Sequence, residues 1–254
     1  MGGTLALGAA FSAASAAAVI AVWLAARTAL VRLHAQDTRD LAGSVAFRIA
    51  GLHGLILGLV FAQQLGEYRD LRSELVSEAS ALADIHADAA RYGAPAAPIR
   101  PLVRTYIDEV LEGEWASMAG GTGLTGAAWD AWAAIYEAAL DLPEAGPREA
   151  ALRGHMIADV QRVAALRDAR VGHGGAGGPT VLFWSAAIWG LLLVAATFLT
   201  WPATAVNGLL IGAFGAYAGG VAFLIWAVAD PFAPPGMLPP APLAALAAAL
   251  SVAG

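Results

Sequence analysis

The chain has 254 residues, 59% of them hydrophobic and 13% charged, a balance that excludes an ordinary water-soluble globule and points to a polytopic membrane protein with one modest polar domain. Every basic side chain other than the five His is Arg, and the formal net charge of −6 argues against a nucleic-acid partner. With no Cys, disulfides and thiolate metal sites are both excluded.

A span needs about 20 apolar residues to cross ~30 Å of hydrocarbon. Leu5 to Ala26, Val45 to Leu65, Thr180 to Trp201 and Ala205 to Ala229 all qualify. The expected fold is therefore all-α, a polytopic membrane protein with four transmembrane helices. Two hairpins, residues 1–65 and 179–230, flank a helical extramembrane domain over 66–178, and a Pro-rich tail follows over 231–254. The first stretch lacks a basic n-region and outruns an h-region, so it reads as a retained span rather than a secretory signal. Arg27, Arg32 and Arg39 in the first short loop nearly balance Arg69, Arg72, Arg167 and Arg170 at the ends of the central domain. By the positive-inside rule this leans toward the central domain and termini lying in the cytoplasm.

Span two runs on into water as one helix, because Leu71, Leu75, Ala79, Leu82, Ile85 and Ala89 recur at steps of three and four. Gly93-Ala94-Pro95 with Pro98 ends it. A second helix shows Val103, Tyr106, Ile107, Val110, Leu111 and Trp115 on one face and stops near Gly120-Gly121-Thr122-Gly123. A third carries Trp129, Trp132, Tyr136 and Leu140 before Pro143, and Pro147 opens a fourth with Leu152, Met156, Val160 and Val163 that reaches Arg170. Trp115, Trp129 and Trp132 are expected in the core of this bundle. Gly172 to Gly178 reads as a hinge and Trp201-Pro202 as a tight turn between spans three and four. Asp230, at the exit of span four, is expected in headgroup water or paired with an Arg. Beyond it, Pro231, Pro234, Pro235, Pro239, Pro240 and Pro242 exclude a fifth span, leaving Leu243 to Val252 to lie on the membrane surface or on a neighbouring subunit.

The candidate functional residues lie on span two. At about 100° per residue, Gly51, Gly54, Gly58 and Ala62 collect on one side and permit close approach of a neighbouring helix. Ile49, His53, Ile56, Val60, Gln63, Gln64 and Glu67 collect on the other, an apolar stripe punctuated by polar groups that suits a pore wall with a hydrophobic constriction and a polar mouth. The alternative is a helix whose polar end meets headgroups. Two readings of His53 stand beside each other: a buried imidazole bonded to a backbone carbonyl, or a pore-facing, pH-sensitive group. Gly208, Gly212, Gly215 and Gly219 mark a tightly packed face of span four, against span three or another subunit, with Asn207 and Tyr217 adding interhelical hydrogen bonds. Asp108, Glu109, Glu112 and Glu114 read as an exposed acidic face, because no suitably spaced His or further carboxylate completes a metal shell. His86, His155 and His173 lack HxH or HExxH spacing, and no GxSxG, Walker or GxGxxG pattern sits between strand and helix. No catalytic residue, metal or cofactor is expected.

The run Gly51-Leu52-His53-Gly54-Leu55-Ile56-Leu57-Gly58-Leu59-Val60-Phe61, followed by Tyr68-Arg69-Asp70-Leu71-Arg72 and Glu78-Ala79-Ser80-Ala81-Leu82, resembles the bestrophin-like domain family of bacterial membrane proteins. Glu114-Trp115 with Met118, Leu166-Arg167-Asp168-Ala169-Arg170, Pro179 with Trp184, and Asp230-Pro231-Phe232 ahead of Pro240-Ala241-Pro242-Leu243 are similar to that family's later blocks. The family is named by analogy with bestrophins, pentameric anion channels with four spans and a cytosolic helical domain between the hairpins. In those channels the second span lines an apolar neck. The resemblance thus implies a homo-oligomer, a pentamer on that pattern, held in the lipid bilayer and passing a small anion past Ile49, Ile56 and Val60. Counterparts of the bestrophin calcium-binding acidic cluster are not found. A competing reading is a non-conducting accessory or scaffold subunit, whose glycine-rich spans dock on other membrane-protein subunits while the Trp-rich domain recruits soluble ones.

Overall fold

A computed structural model describes residues 2–29, 39–174 and 181–252. Arg32, residues 175–178 of the expected hinge, Pro179 and Thr180 lie outside the described residues. Every regular element among the described residues is helical. The chain divides into two compact units, Met1–Gly66 with Gly178–Ala229, and Glu67–Gly177 with Asp230–Gly254.

The first unit holds α1 (Gly2–Ala29), the opening part of α2 (Arg39–Tyr92), α7 (Val181–Thr197) with a 3-10 turn at Phe198–Thr200, and α8 (Ala205–Ala229). α1, α2 and α8 are long and apolar enough to cross a membrane. α7, with 17 residues, is the short one. Chain neighbours are not the closest packing partners here, as a pair of simple hairpins would make them. α1 lies antiparallel along α8, with Gly8 opposite Phe223, Ser15 opposite Gly219, Ala16 opposite Gly215 and Ile20 opposite Gly212. Lipid tails are as apolar as Leu, so no hydrophobic gain pulls spans together and the closest-fitting surfaces pair. The α1 end is then pinned by polar contacts. Trp23 Nε1 donates to the Phe198 carbonyl at 2.8 Å and Arg27 Nη1 to the Trp201 carbonyl at 2.6 Å.

The second unit takes the rest of α2, then α3 (Ile99–Glu109), which passes through a π-turn at Val110–Glu114 into α4 (Trp115–Ala119). It is completed by α5 (Gly126–Leu140), α6 (Pro147–Gly174) and α9 (Ala241–Val252). α2 stops at Tyr92 because Gly93 adopts a φ of 99°, where an L side chain is strained. The core is built from Leu71, Leu75, Leu82 and Ile85 of α2, Val103 and Ile107 of α3, and Met156, Val160 and Val163 of α6.

Three expectations are corrected in this unit. α5 buries Ala128, Ala131, Ile135 and Ala139, while Trp129 is 41% exposed. Small residues let α5 approach α3 closely, and the bulky side chains are left at its flank. There Trp129, Trp132 and Tyr136 stack in a ladder at 4.4 and 5.4 Å. α9 packs on its own unit: Leu243 and Ala247 are buried in that unit's core, and Arg104 Nη1 donates to the Ala247 carbonyl at 2.7 Å. Asp230 does more than meet water, since its Oδ1 accepts from the backbone N–H groups of Phe232 and Ala233 at 3.0 and 3.2 Å. That turn buries Phe232 edge-on to Trp115 at 5.0 Å.

Candidate functional site

The stripe on α2 is divided by the fold. The side of α2 that faces its own unit is carried by Ala46, His53 and Leu57, all buried, with Val60 half-buried against the cluster of Phe183, Ala187 and Ile225. His53 lies against Gly190 of α7, where an added Cβ would come within 2.7 Å of the imidazole Cε1. With Phe11, Ser15 and Trp184 the imidazole also borders a small cleft of about 80 Å³. Ile49 and Gln64 are half-buried, Ile56 is 45% exposed, and Gln63 and Glu67 are exposed. Gly51, Gly54 and Gly58 are exposed too, and among the described residues a Cβ on any of them would meet no neighbouring atom within 4 Å. α2 thus offers two outward arcs: apolar Leu52, Ile56 and Leu59 on one, and the glycines on the other.

The α8 glycines have the opposite fate. A Cβ on Gly215 would fall 2.9 Å from Ala16 Cα, and one on Gly219 would fall 2.7 Å from the Phe11 carbonyl oxygen. Their partner within the chain is α1, which the glycine spacing alone did not name. Among the described residues of the single chain, Asn207 Nδ2 donates to the nearby Pro202 carbonyl at 2.8 Å rather than across helices, and Tyr217 is 71% exposed.

The polar unit contains a buried ionic network. Glu114, read from sequence as part of an exposed acidic face, is fully buried. Its Oε2 accepts from Arg167 Nη2 at 2.5 Å and from the Thr125 backbone N–H at 3.1 Å, and its Oε1 accepts from Arg170 Nη1 at 2.7 Å. Arg170 also pairs with Glu78, whose other oxygen accepts from the Tyr106 hydroxyl at 2.7 Å. The Trp115 and Trp129 rings lie 5.7 and 5.6 Å from the two guanidinium carbons. Two carboxylates and two guanidiniums cancel, so the core holds charge without net charge. Burial and the neighbouring Glu78 carboxylate push the Tyr106 phenol well above its usual pKa. Burial alone would lower that of Arg170, but Glu78, Tyr106 and Glu114 outweigh it and the guanidinium is held charged.

A sequence signal for the network existed. Glu78 continues Leu71, Leu75, Leu82, Ile85 and Ala89 in alternating steps of four and three, and Arg167 and Arg170 continue Met156, Val160 and Val163 in the same way. Charged residues at core spacing on two helices are mutual partners when their signs are opposite. Glu114 is harder to see, because the π-turn adds a residue and shifts the helix phase just ahead of it. The network also removes Arg167 and Arg170 from the arginines available to lipid headgroups.

A family model for the bestrophin-like domain matches residues 12–235. No curated protein and no solved structure matches the chain. The matched stretch takes in most of the chain, and separate sequence blocks within it, at Glu78, Glu114-Trp115, Arg167, Arg170 and Phe232, converge in one core. This chain belongs to the bestrophin-like domain family.

Proposed function

We propose that the chain assembles as a homo-oligomeric ion channel, a pentamer, that conducts small anions across the bacterial inner membrane along α2. The observation that carries this reading is the pair of outward arcs on α2, apolar and glycine-rich, that find no cover among the described residues. Identical copies ranged round an axis would cover the glycine arc and turn the other toward the pore. Ile56 then forms the constriction and Gln63 the polar mouth, with Ile49, Val60, Gln64 and Glu67 alongside, while His53 stands behind the wall against Gly190. The chain crosses four times, α7 being the shortest crossing. Arg69 and Arg72 are exposed whereas Arg27 is held by the Trp201 carbonyl, which supports a cytoplasmic central domain.

Recording from purified protein in planar bilayers tests conduction, and silence across pH and calcium ranges would overturn it. Ile56→Ala is expected to raise unitary conductance severalfold by widening the apolar constriction. An unchanged current would remove Ile56 from the pore. A second reading, a non-conducting accessory subunit, draws on Trp129, a large aromatic left 41% exposed on the polar unit. One copy in a mixed complex, rather than a symmetric ring of this chain, would favour it.

A further inference from the structure

We propose that the polar unit carries a binding site for a phosphate group in the cleft between His86 of α2, Arg100 and Arg104 of α3, and Leu250 of α9. The cleft holds about 310 Å³ and is completed by Ala97 and Pro101. Ligand sites begin at about this size, and they combine apolar walls with a few placed polar groups.

The cations are held in place without being used up. Arg104 is fixed by Asp108, whose two carboxylate oxygens each accept from its Nε at 2.9 Å, and by the Ala247 carbonyl on its Nη1. Its Nη2 makes no hydrogen bond to a described residue. Arg100 donates through Nε to His86 Nε2 at 3.2 Å, and among the described residues no carboxylate lies within ion-pair distance of it. Both its Nη groups are left to donate. Because His86 Nε2 accepts that bond, the imidazole is neutral and its Nδ1–H remains a donor; burial and then the Arg100 guanidinium hold its pKa below the usual value. Two guanidiniums in a fixed fork geometry match the several oxygens of a phosphate better than the two of a carboxylate. Leu250, Ala97 and Pro101 give an organic substituent an apolar wall.

Calorimetric titration of the full-length protein in detergent with inorganic phosphate, chloride balancing the ionic strength, tests the site. Saturable binding is expected, weakened at least tenfold in Arg100→Gln, partly kept in Arg100→Lys, and unaltered in Arg162→Gln, an exposed arginine outside the cleft. Should Arg100→Gln fail to fold like the parent, the Lys variant carries the comparison, since it keeps the charge and loses the fork. Short-chain phosphatidic acid forms the second arm. Competition with phosphate identifies a lipid headgroup as the ligand, and binding of phosphate alone identifies a free solute. Heats no larger than those of the chloride control, or equal affinity in the parent and Arg100→Gln, overturn the site.

Discussion

Between α1 and α8 the closest approaches are glycine against backbone, as at Gly215 and Ala16, whereas the polar unit buries two glutamates, two arginines and a tyrosine within its apolar core. The difference follows from what each unit gains by packing. Hydrocarbon rewards only fit, so the spans in contact shed side chains until their backbones meet. Water rewards apolar burial by about 25 cal/mol per Å². A core that collects Leu71, Leu75, Ile85, Ile107 and Ile135 therefore has enough in hand to keep ions dry when they are fully paired. The network then acts as a key, since Glu78 on α2, Glu114 ahead of α4, and Arg167 and Arg170 on α6 satisfy one another in a single arrangement.

The comparison breaks most decisively at Glu114. Glu114→Ala leaves the buried Arg167 without a carboxylate and Arg170 with Glu78 alone, and is expected to cost about 3–5 kcal/mol, read by chemical denaturation of the purified protein. Pairing it as Glu114→Gln with Arg167→Met should recover part of that loss, because Glu78 and Arg170 still neutralise each other; no recovery would mean the core depends on these charges for something beyond pairing. Next comes Gly215→Ala, whose new methyl must push Ala16 away and is expected to cost about 1–3 kcal/mol in thermal unfolding. A neutral result would show that α1 and α8 are less tightly engaged than their spacing says.

Gly190→Ala sharpens the picture at the imidazole. The added methyl collides with the His53 ring, and His53→Ala placed beside it should relieve a coupling of about 1 kcal/mol. Additive effects of the two changes would separate His53 from α7. Smallest in stability is Gly54→Ala, within about 0.5 kcal/mol of the parent, because no neighbouring atom among the described residues lies near its methyl. Light scattering should nevertheless show a shift to smaller assemblies if that arc meets another copy. Unchanged mass would move the contact elsewhere on α2.

Much of the layout was legible in the residues themselves. Apolar length marked α1, α2 and α8, Gly93 marked the end of α2, Pro147 the start of α6, and the four-three-four spacing of Gly208, Gly212, Gly215 and Gly219 marked a face built for contact. What stayed hidden was every choice of partner. The glycines of α8 met α1 rather than α7 or another subunit, α5 turned its small side inward and its tryptophan outward, α9 returned to its own domain, and Glu114 went into the core. Residue spacing sets where a side chain stands around its own helix axis, a local property that a linear chain carries. Which surface then meets it depends on the fit of elements more than a hundred residues apart, as with Ser15 and Gly219, and that energy exists only once the helices are side by side.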